Sequence, residues 1–375
     1  MNSQTQYQPD YAVAPGAVLD EHREAATMTQ AELAQRLGFS AKHVNRLLAG
    51  LEPVTPETAL KLEAVFGLPA HVWLGMEARY REHLARAAEQ DSMAGELVWL
   101  ERLPHRSLSK LGWLPKGLRG TELVRGLRVF FGVGSLDYLP DVWGSTQAAY
   151  RKTEAFQLHE WALLAWLAQG EREAERIACR PFDAAALRTA LPELKALSRL
   201  PGVAFARPLV ERCAAHGVAV VVLPAPDGAR VCGATRWIGK DKALVQLSLR
   251  YKTDDQLWFT LFHELGHVLL HGKREQFIDF ERNADVSAQE REANDFAART
   301  LIAPADMIRF IANGDVSRTA VQAFAAAQGV APGIVVGQLQ HRGVVEFRSA
   351  LSTLKASFRW DPDTRADTHA DTRAA

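Results

Sequence analysis

The sequence predicts an α+β protein that is mostly helical and built in two principal parts. Three observations predict it. From Pro15 to about Ala88, five short apolar-periodic stretches alternate with residues that start and stop helices. From Gly217 to Leu249 the texture changes to β-rich runs separated by turn residues. Directly after them a long helical pattern, about Asp254 to His271, carries His263-Glu264-Leu265-Gly266-His267. The expectation is a five-helix domain containing a helix-turn-helix, followed by a domain whose small antiparallel sheet packs on that long helix.

The first domain is punctuated clearly. Thr29-Gln30-Ala31-Glu32 is a capping box, in which the threonine oxygen accepts from a free backbone N–H and the glutamate reaches back. It opens a helix that Gly38 closes. Ser40 caps Ala41 to Ala49, Gly50 ends that helix, and Thr55-Pro56 opens another that stops at Gly67. Gln30 to Leu37, the turn Gly38-Phe39-Ser40, and Ala41 to Leu48 fit a helix-turn-helix held by Leu33, Leu37, Val44, Leu47 and Leu48. Lys42, His43, Asn45 and Arg46 then fall on or near the open side of the second helix, with reach to base edges or phosphates. Gln30 and Ser40, at helix starts, suit phosphate contacts.

The remaining boundaries follow from texture. Residues 1–90 form the helix-turn-helix domain and 91–200 a helical, charged connecting region with Trp161, Leu164 and Leu167 on one apolar face. Val218 to Leu223, Val231 to Ile238 and Ala243 to Leu249 read as a meander within a core of 201–310. The long helix starts at Thr253 with Gln256 completing a capping box, and a second helix runs from about Ala288 to Ile302. A helical subdomain covers 311–350, and 351–375, polar and repeating Asp-Thr-Arg-Ala, is expected to be a disordered tail.

Charge and composition narrow the class. The chain has 375 residues, 47 % of them hydrophobic, enough for more than one buried core. Its 44 basic and 44 acidic side chains cancel, so nucleic-acid binding has to come from a local surface. Three widely spaced cysteines support neither a disulfide framework nor a cysteine-held metal. The N-terminus is polar and no apolar run approaches the length of a membrane span, so a cytoplasmic protein without membrane contact is expected.

The helix from Asp254 carries the chemistry. Residues four apart differ by roughly 40° around a helix and by one turn along it, so the imidazoles of His263 and His267 can converge on one ion. Zinc takes neutral imidazole readily; a catalytic site adds a third protein ligand and leaves a position for water. Glu264, beside the first imidazole, is placed to take a proton from that water. His271 lies eight positions from His263, about 12 Å along the helix, too far to share the ion. The third ligand is sought in Gln289-Glu290-Arg291-Glu292-Ala293-Asn294-Asp295-Phe296-Ala297, with Glu292 the first choice and Glu290 the alternative. Asp295 is expected to hydrogen-bond a ligand histidine. Arg250, Tyr251 and His271 are the candidates for stabilising an oxyanion.

Residues 255–271 and 290–298, preceded by three strands, resemble the ImmA/IrrE metallopeptidases over about residues 201 to 345. The resemblance implies a zincin-like domain that binds Zn2+ through His263, His267 and Glu292, with Glu264 as the base. Characterised members of that family cleave helix-turn-helix repressors, so the implied substrate is an XRE-type repressor and the implied outcome is derepression of stress or mobile-element genes. Met28 to Met76 resembles the XRE-type module of HigA-like antitoxins, which implies operator DNA as a partner and a homodimer as the binding form. Two functions are thereby expected: a zinc endopeptidase coupled to a DNA-binding domain, or alternatively a HigA-like regulator whose zinc domain senses or binds a partner without turnover.

Overall fold

A computed structural model describes residues 13–143, 154–248, 250, 252–272, 277–280 and 287–358, with the side chains of 154–159, 279 and 280 excepted. The chain divides into two compact units, Met1–Gly95 and Glu96–Ala375.

The first unit is five helices: α1 Pro15–Ala25, α2 Gln30–Leu37, α3 Ala41–Leu48, α4 Pro56–Phe66 and α5 Ala70–Gly95. The caps form as their chemistry requires. The Thr29 hydroxyl accepts from the Glu32 N–H at 3.2 Å while Glu32 accepts from the Thr29 N–H at 2.8 Å. Gly38 closes α2 at φ 65°, a left-handed conformation that costs a glycine nothing. Ser40 caps α3 through the His43 N–H, and Thr55 caps α4. Leu19, Leu33, Leu37, Val44, Leu47, Leu62 and Trp73 fill the core between them. α5 runs to Gly95, past the expected end near Ala88, because no breaker interrupts 76–94 and the pairs Glu77–Arg81 and Glu82–Arg86 lie one turn apart.

The second unit opens with helices α6 His105–Lys110, α7 Gly120–Phe131, α8 Leu139–Val142, α9 Glu154–Glu175, α10 Ala184–Ala196 and α11 Ala206–Ala214. Its sheet follows: β1 Val218–Val222, β2 Val231–Trp237, β3 Ala243–Leu247 and, after helix α12 Asp254–Leu270, β4 Phe277–Phe280. Helices α13 Ala288–Leu301, α14 Pro304–Ala312, α15 Arg318–Gln328 and α16 Pro332–His341 complete it.

The sheet is mixed, with order β1-β3-β2-β4; β1 pairs parallel with β3, and only the β2–β3 and β2–β4 pairs are antiparallel. This corrects the expected all-antiparallel meander. Gly239-Lys240-Asp241 does make a tight connection, closed by Ile238 N–H to Lys242 O at 2.8 Å. The stretch between β1 and β2 is too long and too proline-rich for a hairpin and carries the chain across to the far side of β3.

Both faces of the sheet are covered, which explains why its strands are buried almost throughout. On one face Val218, Val220, Val245 and Leu247 join Leu257, Trp258, Leu261 and Leu265 of α12 in one core. On the other lies α9: Trp166 Nε1 donates to Leu223 O, Gln246 Nε2 to Trp166 O, and Arg236 to Leu167 O. α9 thus packs on the sheet through Trp166 and Gly170, whereas Trp161 of the apolar face read from the sequence meets Trp99 edge-on at 5.2 Å. The expected Thr253–Gln256 box does not form. Thr253 instead bridges Ser357, Asp254 N–H donates to Ala356 O, and Lys355 pairs with Asp255 at 2.6 Å. Of the tail expected at 351–375, residues up to 354 complete a short helical turn, Ala350–Leu354, and 355–358 are built onto the start of α12; 359–375 lie outside the described residues. Among the described residues no single helix is long and apolar enough to cross a membrane.

Candidate functional site

α12 is buried along most of its length, and it carries His263, Glu264 and His267 at 2 % exposure or less. The ring nitrogens His263 Nε2 and His267 Nε2 lie 3.0 Å apart. From α13 Glu290 reaches both, with Oε2 at 3.2 Å from His263 Nε2 and Oε1 at 3.6 Å from His267 Nε2. These three residues could hold a metal ion, their donor atoms lying within 4.8 Å of one another. Ligands about 2.0–2.1 Å from a tetrahedral zinc sit about 3.3 Å from each other, and the separations of 3.0, 3.2 and 3.6 Å bracket that value. Two imidazoles and one carboxylate are also the donor set of a three-ligand zinc site.

The expected ligand Glu292 is elsewhere. Its side chain is 63 % exposed and faces His271 Nε2 at 3.3 Å. Glu290, two positions earlier and only 15 % exposed, is the residue brought to the imidazoles. The reason is the phase of α13. Glu290, Ala293 and Ala297 recur at i, i+3 and i+7 on one face, and Ala293 and Ala297 are fully buried. Glu292 lies 200° around from Glu290. That small-residue stripe was present in the sequence and carries the signal for Glu290. Gly266 allows the two helices to close: a Cβ there would stand 3.3 Å from Ala293 Cα and 3.1 Å from the Phe296 ring.

Each imidazole is oriented from its far side. His263 Nδ1 meets Asn294 Oδ1 at 3.0 Å, the role expected of Asp295. A proton on Nδ1 donates to that oxygen and leaves the Nε2 lone pair for a metal. His267 Nδ1 meets His271 Nδ1 at 3.0 Å, and Phe277 of β4 stacks on the His267 ring, centroids 3.9 Å apart. Burial lowers the His267 pKa, against the raising effect of Glu290, and so favours the neutral ligating form. Burial opposes ionisation of Glu290, but the hydrogen bonds and charge of His263 and His267 outweigh it and hold the carboxyl at about 2.

Glu264 is turned towards β2 and fully buried. Thr235 Oγ1 donates to Glu264 Oε2 at 2.6 Å, a contact that sequence reasoning missed because nothing local ties a strand threonine to a helix glutamate. Of the three oxyanion candidates, His271 lies behind His267, Arg250 lines a small polar recess with Ser248, Gln256 and Thr260, and Tyr251 is outside the described residues.

In the first unit Gln30, Ser40, Lys42, Asn45 and Arg46 are all exposed and His43 is half-buried against Phe39. The Ser40 oxygen is occupied by its cap, and Arg46 is paired with Glu52 at 2.8 Å. Lys42 extends from α3 with its charge exposed.

A family model described as the IrrE N-terminal-like domain, of the M78 peptidases, matches residues 213–335, the sheet and helices that build the site. A helix-turn-helix model matches residues 19–73. The chain belongs to the helix-turn-helix family and carries an IrrE N-terminal-like domain behind that module. Curated relatives of the helix-turn-helix proteins include virulence-associated protein I of Dichelobacter nodosus, 30 % identical over 88 residues, which are 23 % of this chain and 79 % of the relative. The uncharacterized HTH-type transcriptional regulator YddM of Escherichia coli K12 is 30 % identical over 63 residues, 17 % of this chain and 67 % of YddM. Among solved structures, an addiction module antidote protein of a HigA family from Coxiella burnetii is 27 % identical, covers 22 % of this chain and 92 % of its own, and has a TM-score of 0.21. The IrrE N-terminal-like domain makes the second unit a metallopeptidase-family domain, and the helix-turn-helix makes the first a DNA-binding one.

Proposed function

We propose that the second unit is a zinc endopeptidase that cleaves a helix-turn-helix repressor, and that the first unit brings it to operator DNA. The observation that carries this reading is the convergence of His263, His267 and Glu290 beside a buried Glu264. In it His263, His267 and Glu290 hold the metal and Glu264 moves the proton. Bound zinc would polarise a substrate carbonyl and bring the pKa of a water towards neutrality. Glu264 accepts the proton of the attacking water and delivers it to the departing amine nitrogen. Asn294 and His271 keep the two imidazoles in orientation. β4 is an edge strand whose Phe277 lies against His267, so an extended peptide adding to that edge would run past the site.

The decisive experiment expresses the full chain with candidate XRE repressors from its genomic neighbourhood. Wild type is expected to cleave one, and Glu264→Gln to bind zinc equally but cleave none. Zinc binding without cleavage of any neighbour or of the chain itself would leave the second reading, a regulator without turnover. That reading is favoured by the likeness of the first unit to YddM of Escherichia coli, described as an HTH-type transcriptional regulator.

A further inference from the structure

We propose that Thr235 is a positioning residue for the Glu264 carboxylate and that Gly233 makes the space this carboxylate occupies; the proposal rests on the reading of Glu264 as the proton-transfer group. Along a strand, residues two apart share a face. On β2 that places Gly233 and Thr235 towards α12, while Arg236 turns to α9 and donates to Leu167 O. Thr235 is 2 % exposed, and its hydroxyl lies 2.6 Å from Glu264 Oε2 and 3.2 Å from the Glu264 backbone oxygen. A hydroxyl has one proton, and the shorter contact, to the side-chain carboxyl oxygen, takes it.

Gly233 acts on the other oxygen. A Cβ at 233 would stand 2.3 Å from Glu264 Oε1 and 2.8 Å from Thr260 Cγ2, so any larger residue displaces the carboxylate. One strand therefore holds one oxygen with a hydroxyl and clears room for the other. A glutamate has three rotatable side-chain bonds, and a hydroxyl fixed on the strand beneath it confines them.

The test uses the full chain loaded with cobalt(II) in place of zinc, whose visible absorption band reports the surroundings of the open coordination position, alongside cleavage of whichever neighbouring XRE repressor the wild type cuts. Thr235→Val and Gly233→Ala are expected to retain a full complement of metal, to shift the cobalt band as Glu264→Gln does, and to lower kcat about tenfold or more at unchanged KM. Thr235→Ser, which keeps the hydroxyl, is expected to restore both. In the Glu264→Gln background Thr235→Val should move nothing further. A wild-type band and kcat in Thr235→Val, or an equal shift in Thr235→Ser, would overturn the proposal while leaving Glu264 as the base. A Glu264→Gln variant that cleaves normally would instead sink the base reading, and the cobalt band would still report whether Thr235 holds that carboxylate.

Discussion

At the scale of single residues, two carboxylates make the sharpest predictions. Glu290→Ala should strip zinc from the purified chain, whereas Glu292→Ala should leave the metal content near one per chain. The reverse result by elemental analysis would return the third-ligand role to Glu292. Asp254, in the first turn of α12, is the second. Burial raises its carboxyl to about 6, against the pull of the Ala356 and Asp255 N–H groups and with a further push from the Asp255 charge. An unfolded aspartate titrates near 3.9. The folded state thus holds this proton more tightly, so its contribution to stability is fully present below about pH 4 and lost as pH rises through about 6. The shift corresponds to roughly 3 kcal/mol at most. Asp254→Asn should therefore shrink the difference between urea midpoints at pH 4 and pH 7; an unchanged difference would contradict the assignment. In the first unit, Lys42→Ala should weaken operator binding and reduce its salt dependence more than Arg46→Ala, because Arg46 is already paired with Glu52. Equal losses in a salt titration would mean that the Glu52 pair opens on DNA.

At the scale of elements, the contact of α12 with α13 decides the site. Gly266→Val touches no donor atom, yet it drives a branched side chain into Ala293 and Phe296 and moves Glu290 off the imidazoles. Zinc affinity is expected to fall more than tenfold, as read by competition with a chromophoric chelator. Unaltered affinity would mean that the helices can part without cost to the site. The same contact marks where the sequence stops being legible. His263, Glu264 and His267 follow from spacing within one helix, and the helix-turn-helix follows from caps at Thr29, Ser40 and Thr55, because both signals are local. Glu290 over Glu292 is legible in part, because Ala293 and Ala297 mark the buried face of α13, but which helix that face meets is not a local signal. Thr235 depends on which strand lies under Glu264. The crossing of the chain from β1 past β3 to β2 is set by pairing across the sheet, and β4 is four residues bounded by polar chain. These are long-range choices that no window of ten residues contains.

At the scale of the molecule, the two units have separate cores: Leu19, Leu33, Leu47 and Trp73 fill one, and the residues around α12 fill the other. A metal held by α12 and α13 stabilises only the unit that owns them. A ligand at a hundredfold excess over its Kd adds about 2.7 kcal/mol to the state that binds it. Calorimetry with and without EDTA should accordingly move the transition of the second unit and leave that of the first, and a common shift would show that the units unfold as one.

Residues 355–358 pin the start of α12 through Thr253, Asp254 and Asp255, with Lys355 and Asp255 separated by 100 positions. During synthesis that anchor emerges after every other described part of the site's scaffold. A ribosome carrying the half-made chain displays the His263–His267 helix without its clamp, whereas the helix-turn-helix has been free to fold since α5 left the tunnel. The helix-turn-helix is in place first, and the His263–His267 site gains its rigid frame only once the clamp has docked.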